Sequence, residues 1–399
     1  QLWCLGARRR AASRALMEHK IVDSSEEEDR ELPPEIWRLV CDCLHPKQLG
    51  RLARTSRDVR TAVRGSPAFR QLLRCDGVWE DVHERSILGV AATGDSIVTA
   101  SEDRTLKILD AADGSCRAIL EDLLDGGHRD RVRCVCVMPD GRIVSGSRDC
   151  TLIVWARDGS YLRTLEGHTD FVWCVVALSE DRVASGSKDG TIRIWDVNTG
   201  RELLEIPMNG QVRCLAAMPD GTLITDGGDG RLKRWDVKKG QCIGWMGRLD
   251  GPREESITSV AVVDWGSSSS WLTFEGVFVA GRENGSLTLW NPILDEMNNI
   301  TFPGSHGAAV WALASLPNER FVAADGDGVL KVWRADLALG PRALTCLQTL
   351  RGHARAAFCL AALPDGRIVS GSMDRTLRFW APAGYQIDRG AADVKSRLQ

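Results

Sequence analysis

The stretch Ser185-Gly186-Ser187-Lys188-Asp189, with Trp195 six residues beyond its aspartate, is one of seven copies of a single device. Ser145-Gly146-Ser147-Arg148-Asp149 leads in the same way to Trp155, and Ser370-Gly371-Ser372-Met373-Asp374 to Trp380. Looser copies put Asp103 before Leu109, Asp229 before Trp235, Asn284 before Trp290 and Asp327 before Trp333. The acid or amide always precedes the closing residue by six, and successive turns lie 46, 40, 40, 55, 43 and 47 residues apart. Two apolar runs around a tight turn are two strands of a hairpin. A period of roughly 40–45 residues with four short strands per unit is the spacing of a propeller blade. Seven units therefore predict seven blades over residues 87–380.

In each unit the reading is an inner strand (132–138 in the second), a turn, a middle strand (142–147), the acidic turn, a third strand (151–155) and an outer strand (161–165). The last unit needs an outer strand from elsewhere, and residues 78–82 or 385–388 are the two candidates. Unit five is stretched by the segment at 265–271 and unit six is followed by 335–343; both insertions are expected on the face opposite the acidic turns.

The remaining chain is of a different kind. Residues 1–30 run from Arg-rich to acidic, too polar to build a core, and read as a disordered segment. Residues 31–75 read as a helical domain. After Pro33-Pro34, the residues Ile36, Leu39, Val40, Cys43 and Leu44 recur at helical spacing, and Leu49, Leu52 and Ala53 suggest a second helix. A third follows, with Val59, Ala62 and Val63, before Gly65-Ser66-Pro67 stops it. The propeller is assigned 76–385 and a C-terminal tail 386–399.

A net charge of −3 argues against a nucleic-acid surface over the whole chain. No apolar run reaches the ~20 residues of a membrane-spanning helix, so membrane insertion is not expected. The 13 cysteines form no disulfide framework. Cys134, Cys174, Cys214 and Cys359 share one repeat position, where a small apolar side chain packs between blades. That usage fits a reduced compartment, cytoplasmic or nuclear. Cys41-x-Cys43 and Cys134-x-Cys136 read as packing rather than zinc ligands. The reading assigns no catalytic residue, metal or cofactor.

The repeats resemble WD40 repeats: Gly167-His168, Ser185-Gly186-Ser187, Asp189 and Trp195-Asp196 reproduce that family's pattern. The resemblance implies a structural brace of histidine, turn aspartate and tryptophan within each blade. It falls on His128, Asp149 and Trp155, on His168, Asp189 and Trp195, and on His353, Asp374 and Trp380. A weaker fourth joins His306, Asp327 and Trp333. Unit one is read as lacking both histidine and tryptophan, and units four and five as lacking the histidine; those blades should be less rigid. The helical block resembles an F-box, through Leu32-Pro33-Pro34-Glu35-Ile36, Leu39-Val40, Cys43-Leu44, Gln48-Leu49 and Leu52-Ala53. The expected fold is thus an all-β seven-bladed WD40 propeller preceded by a small all-α F-box-like domain.

This pairing resembles substrate receptors of SCF-type cullin-RING ubiquitin ligases, which are not themselves enzymes. It implies a Skp-type adaptor and cullin as partners, with Leu32, Pro33, Ile36, Leu39, Leu49 and Leu52 facing the adaptor. It also implies a substrate protein held through a short peptide on the propeller. Two repeat positions point to the rim: the residue before the repeated cysteine and the residue before the turn acid. They supply Arg133, Arg148, Lys188 and Arg213 in one arc with Trp173 among them, facing Trp311, Phe358 and Met373. Arginine forks grip phosphate or carboxylate through paired hydrogen bonds, so the arc suits a phosphorylated or acidic peptide with an apolar anchor. The arrangement resembles phosphodegron-reading receptors, which carry arginine where Arg133 and Arg148 stand; Trp173 departs from that pattern. The bland alternative is ordinary surface charge paired with Asp130 or Asp170, and the alternative function is a non-enzymatic scaffold.

Overall fold

A computed structural model describes residues 73–121, 126–218, 220–228, 230–246, 256–263, 277–290, 299–317, 319–335 and 344–382. These form seven four-stranded antiparallel sheets; no helix occurs among the described residues. The helical reading of 31–75 lies outside them except at its end, where Leu73–Cys75 open a strand because the last blade needs a fourth one, so the propeller begins before residue 76. The insertion at 265–271 lies outside them, as does that at 335–343 apart from Ala335, which ends the strand Leu330–Ala335.

The second blade is the type: Val132–Val137, Ile143–Ser147, Leu152–Trp155 and Tyr161–Leu165 follow one another across the sheet. The middle strand is buried at every position, because neighbouring blades cover both of its faces, whereas the outer strand begins exposed and is buried only at its last residue. The blades meet in apolar clusters such as Val98, Ile108, Val132, Ile153 and Trp155.

Glycine sets the distance between blades. A Cβ on Gly146 would lie 2.6 Å from Val172 Cγ1, one on Gly186 2.5 Å from Val212 Cγ1, and one on Gly281 2.5 Å from Val310 Cγ1. Only hydrogen lets the next inner strand approach so closely. At the closing seam Gly371 plays this part toward Ile87, and Cys359 packs beside it in the same cluster as Leu377 and Phe379. The seventh sheet takes its outer strand from Leu73–Trp79, which pairs with Leu377–Pro382. The ring is therefore closed from the N-terminal side, the Trp79 and Phe379 rings lying 4.1 Å apart between centroids; 385–388 lies outside the described residues.

The acidic turns need one left-handed residue. Gly190, Gly285 and Gly328 take φ near +80°, whereas Arg104, Cys150 and Arg375 take φ of 75°, 70° and 68° without glycine's freedom. That conformation costs a side-chain-bearing residue about 1–2 kcal/mol.

Candidate functional site on the top face

Each acidic turn is tied down from within its blade. His168 donates through Nδ1 to Asp189 Oδ2 at 2.8 Å, and its Nε2 lies 2.7 Å from Ser185 Oγ, which also receives the Trp195 indole N–H at 2.8 Å. Every polar atom of this buried chain has a partner only if Ser185 donates to Nε2, and that fixes the tautomer. The same chain runs His128, Asp149, Ser145 and Trp155, and His353, Asp374, Ser370 and Trp380. The serine that opens each Ser-Gly-Ser, which the expected brace of histidine, aspartate and tryptophan does not include, is the hub of all three.

Two braces differ from expectation. Blade one has a histidine after all: His83 reaches Asp103 at 2.9 Å and Thr99 Oγ1 at 2.7 Å. No Gly-His pair announces it in the sequence, and it lacks only the tryptophan. In blade six His306 bonds Asp325 at 2.9 Å, not Asp327, and receives the Trp333 indole directly at 3.4 Å. Ala323 occupies the hub position there, so the histidine meets the ring itself, and Asp325 stands where Ser147 stands in blade two. Blade four keeps a remnant, Trp235 donating to Thr225. In blade five the Trp290 indole N–H is buried with no partner among the described residues.

These turns and the loops entering the inner strands share one end of the ring, the top. The inner strands carry a bulge there. Val132 pairs with Ser147 and Cys134 with Gly146, leaving Arg133 as the extra residue. Trp173, Thr258, Trp311 and Phe358 are the extra residues of blades three, five, six and seven, and Leu88 of blade one. A bulge turns a side chain out of the pleat, which explains why one repeat position collects at the mouth. In blade four the backbone N–H of Arg213 is held instead by Asp226 Oδ1 at 3.0 Å.

The mouth brings several of the expected residues together. The Arg133 guanidinium carbon lies 4.1 Å from the Trp173 ring centroid and 6.0 Å from that of Phe358, and Phe358 meets Trp311 edge-on at 5.3 Å. Arg148 stacks on Phe171 at 4.1 Å, and Lys188 lies 4.7 Å from the same ring. Phe171 was not singled out in the sequence; it sits just before the inner strand, at a position that elsewhere holds Ser86, Arg131 or Ala356.

The basic arc divides by charge pairing. Lys188 meets Asp170 at 3.2 Å and Arg213 meets Glu283 at 3.3 Å. Arg133 and Arg148 make no ion pair among the described residues. Burial, aided by the charges of Arg148, Arg131 and Arg213, pushes the Arg133 pKa down to about 10, so it stays charged at neutral pH. The Nε of Arg148 and the indole N–H of Trp173 are buried without a hydrogen-bond partner among the described residues. Stacking on aromatic faces returns about 2 kcal/mol for a desolvated cation, less than a partly dehydrated charge forfeits. The Leu32, Pro33, Ile36, Leu39, Leu49 and Leu52 set lies outside the described residues. Among the described residues no three His, Cys, Asp or Glu gather to hold a metal ion.

The geometry defines a WD40-type propeller with a charged and aromatic mouth. Comparison with protein families supports the WD40 assignment: the family described as WD domain, G-beta repeat matches residues 114–156, 159–196, 202–236, 298–334 and 344–381. The F-box domain family matches residues 30–71. The chain is an F-box/WD40-repeat protein. A comparison with curated proteins found no match. The five matched repeats all close on tryptophan; blade one, which closes on Leu109, and blade five, which lacks the brace, fall largely outside them. An F-box joined to WD40 repeats supports, at the level of architecture, a substrate-recognition adaptor of SCF-type ubiquitin ligases, a role typical of non-catalytic subunits. The F-box implies a Skp-type adaptor and the propeller implies protein partners.

Proposed function

We propose that the propeller mouth holds an anionic segment of a substrate protein, a phosphorylated or acidic side chain beside an apolar one. The F-box segment docks a Skp-type adaptor and, through it, a cullin. The observation that carries this reading is Arg133: desolvated, in no ion pair among the described residues, and set between Trp173 and Phe358. An incoming phosphate or carboxylate would supply the missing counter-charge through bidentate hydrogen bonds, and Arg148 stands ready beside it. Trp173, Phe358 and Trp311 form the wall for the apolar anchor. Lys188 and Arg213, already paired, shape the field more than they grip the ligand. The effect on ubiquitin transfer is proximity, since the receptor orients its substrate and contributes no reacting group. Such a subunit works in the cytoplasm or nucleus.

Affinity purification of the full chain with the proteasome inhibited tests both halves. The expected result is co-purification of a Skp-type adaptor, a cullin and a substrate. Arg133→Glu with Arg148→Glu should remove the substrate and retain the adaptor, while Ile36→Asp with Leu39→Asp should do the reverse. Loss of neither substrate nor adaptor would leave a scaffold as the function and defeat the proposal.

A further inference from the structure

At the seam between the last and first blades the top face has a notch of about 500 Å³ lined by Arg85, Ser86, Glu102, Arg355, Met373, Asp374 and Arg375; of the expected mouth residues it includes Met373 and none of the basic arc. Its charge does not cancel. Glu102 is taken up by an ion pair with Arg131 of blade two and by the Ser86 hydroxyl. Asp374 is committed to the His353 brace and to the backbone N–H of Ala354. Three arginines remain. Arg85 and Arg355 make no ion pair among the described residues, and Arg375 makes only an exposed one with Asp81 at 3.3 Å, the kind that exchanges readily for a better partner.

The arginines replace residues of another character at equivalent repeat positions. Where Arg85 and Arg355 stand, two residues before the first buried residue of the inner strand, blades two and three have Asp130 and Asp170. There each carboxylate accepts a hydrogen bond from the next backbone N–H, of Arg131 and Phe171. At the seam that carboxylate is exchanged for a cation twice, on the two blades that face each other. Arg375 follows the turn acid in a left-handed conformation, φ 68°, where blades three, five and six use glycine. Three arginines lining one notch from two blades offer forked donors of the kind that suit the terminal oxygens of a phosphate monoester.

We propose that this seam notch is a phosphate-binding site for a phosphorylated side chain of a partner protein, held by Arg85, Arg355 and Arg375. Met373, 36% exposed at the edge, gives the neighbouring residue of that partner an apolar contact. The site does not depend on Arg133 or Arg148. Inorganic phosphate titrated into the full chain, followed by hydrogen exchange, should protect the backbone around residues 84–88 and 373–376. The protection should persist in an Arg133→Gln, Arg148→Gln variant, which separates this site from the mouth. Arg85→Gln with Arg355→Gln should weaken it by at least about tenfold with unchanged thermal stability, since both side chains are exposed. A degenerate phosphoserine peptide library should compete with the phosphate, and its dephosphorylated twin should not. No protection in the wild-type chain, or protection untouched by the double substitution, overturns the site. Competition by inositol hexakisphosphate but not by phosphopeptides overturns the assignment to a protein partner.

Discussion

The guanidinium of Arg133 lies over Trp173, 4.1 Å from the ring centroid, and makes no ion pair among the described residues. Both residues are the extra members of β-bulges on adjacent inner strands. A charge held this way is a cost to the free protein, and stability measurements can read that cost.

Replacing Arg133 with methionine removes the desolvated charge while keeping much of the volume, so the unliganded chain should gain about 1–2 kcal/mol. Denaturant unfolding checks it. A loss of more than about 1 kcal/mol would mean that the arginine is a structural stack and not a ligand held ready.

Ser185→Ala deletes the hub between His168 and Trp195, stranding a buried ring nitrogen and a buried indole N–H. Each orphan costs about 1–3 kcal/mol, so the variant should lose roughly 2–4 kcal/mol in urea unfolding. The measurement to compare is Ser160→Ala on an exposed turn, where the hydroxyl bonds only Asp158 and the change should stay within about 0.5 kcal/mol.

Gly371→Ala should strike ring closure. The added methyl would sit 2.7 Å from both Ile87 Cγ2 and Cys359 Sγ, and overpacking of this kind costs about 1–3 kcal/mol. Gly94→Ala, with nothing within 4 Å of the new carbon, is the control and should be neutral. Equal thermal midpoints for the two variants would contradict the close-packing account.

Asp226 takes the repeat position that is glycine in blades two and three and is almost fully buried; burial lifts its pKa to about 7 against the hydrogen bonds from Cys214 and Arg213. The folded state therefore binds this proton more tightly than the unfolded chain. Stability from it is complete below about pH 4 and declines as pH rises toward 7, by a total on the order of 4 kcal/mol. Asp226→Asn should flatten that decline and raise the unfolding midpoint at about pH 8. A midpoint lowered there as much as at about pH 5 would show that the carboxylate is not the cause.

The braces carry the opposite sign. Burial outweighs the neighbouring aspartates and lowers the pKa of His168, His306 and His353. Burial works to raise Asp103, Asp149 and Asp374, but hydrogen bonds from histidine and threonine hold all three below the usual carboxylate range. The histidine contribution is present above the ordinary value of about 6.5 and fades as pH falls below it. The aspartate contribution follows below about pH 4. A urea midpoint that does not move between about pH 7 and pH 5 in the Asp226→Asn background would refute the histidine part.

Much of this fold was legible in the chain because its period is long-lived and its marks are chemical. An acid or amide six residues before the closing residue of a strand needs no tertiary knowledge to count, and seven counts make seven blades. The three full braces were readable for the same reason. His83 was missed because its blade lacks the Gly-His pair and the tryptophan, leaving no pattern around it. His306 was joined to Asp327 because spacing alone cannot distinguish two aspartates two residues apart; the backbone brings Asp325 to the ring. Phe171 was passed over because a stacking platform is defined by what lies above it.

The repeat by itself determined the ring, its handful of hydrogen-bonded braces and the arc of basic residues, since periodic local strand and turn chemistry is written residue by residue. Only the tertiary structure decided which of those charges are free. Lys188 and Arg213 meet acids brought near by the folded top face, Glu283 being 70 residues distant from Arg213, whereas the bulges carry Arg133 to Trp173 and Phe358. Charge pairing across blades depends on distances that the chain acquires when the ring closes, and the physical character of the mouth and of the seam notch is set there.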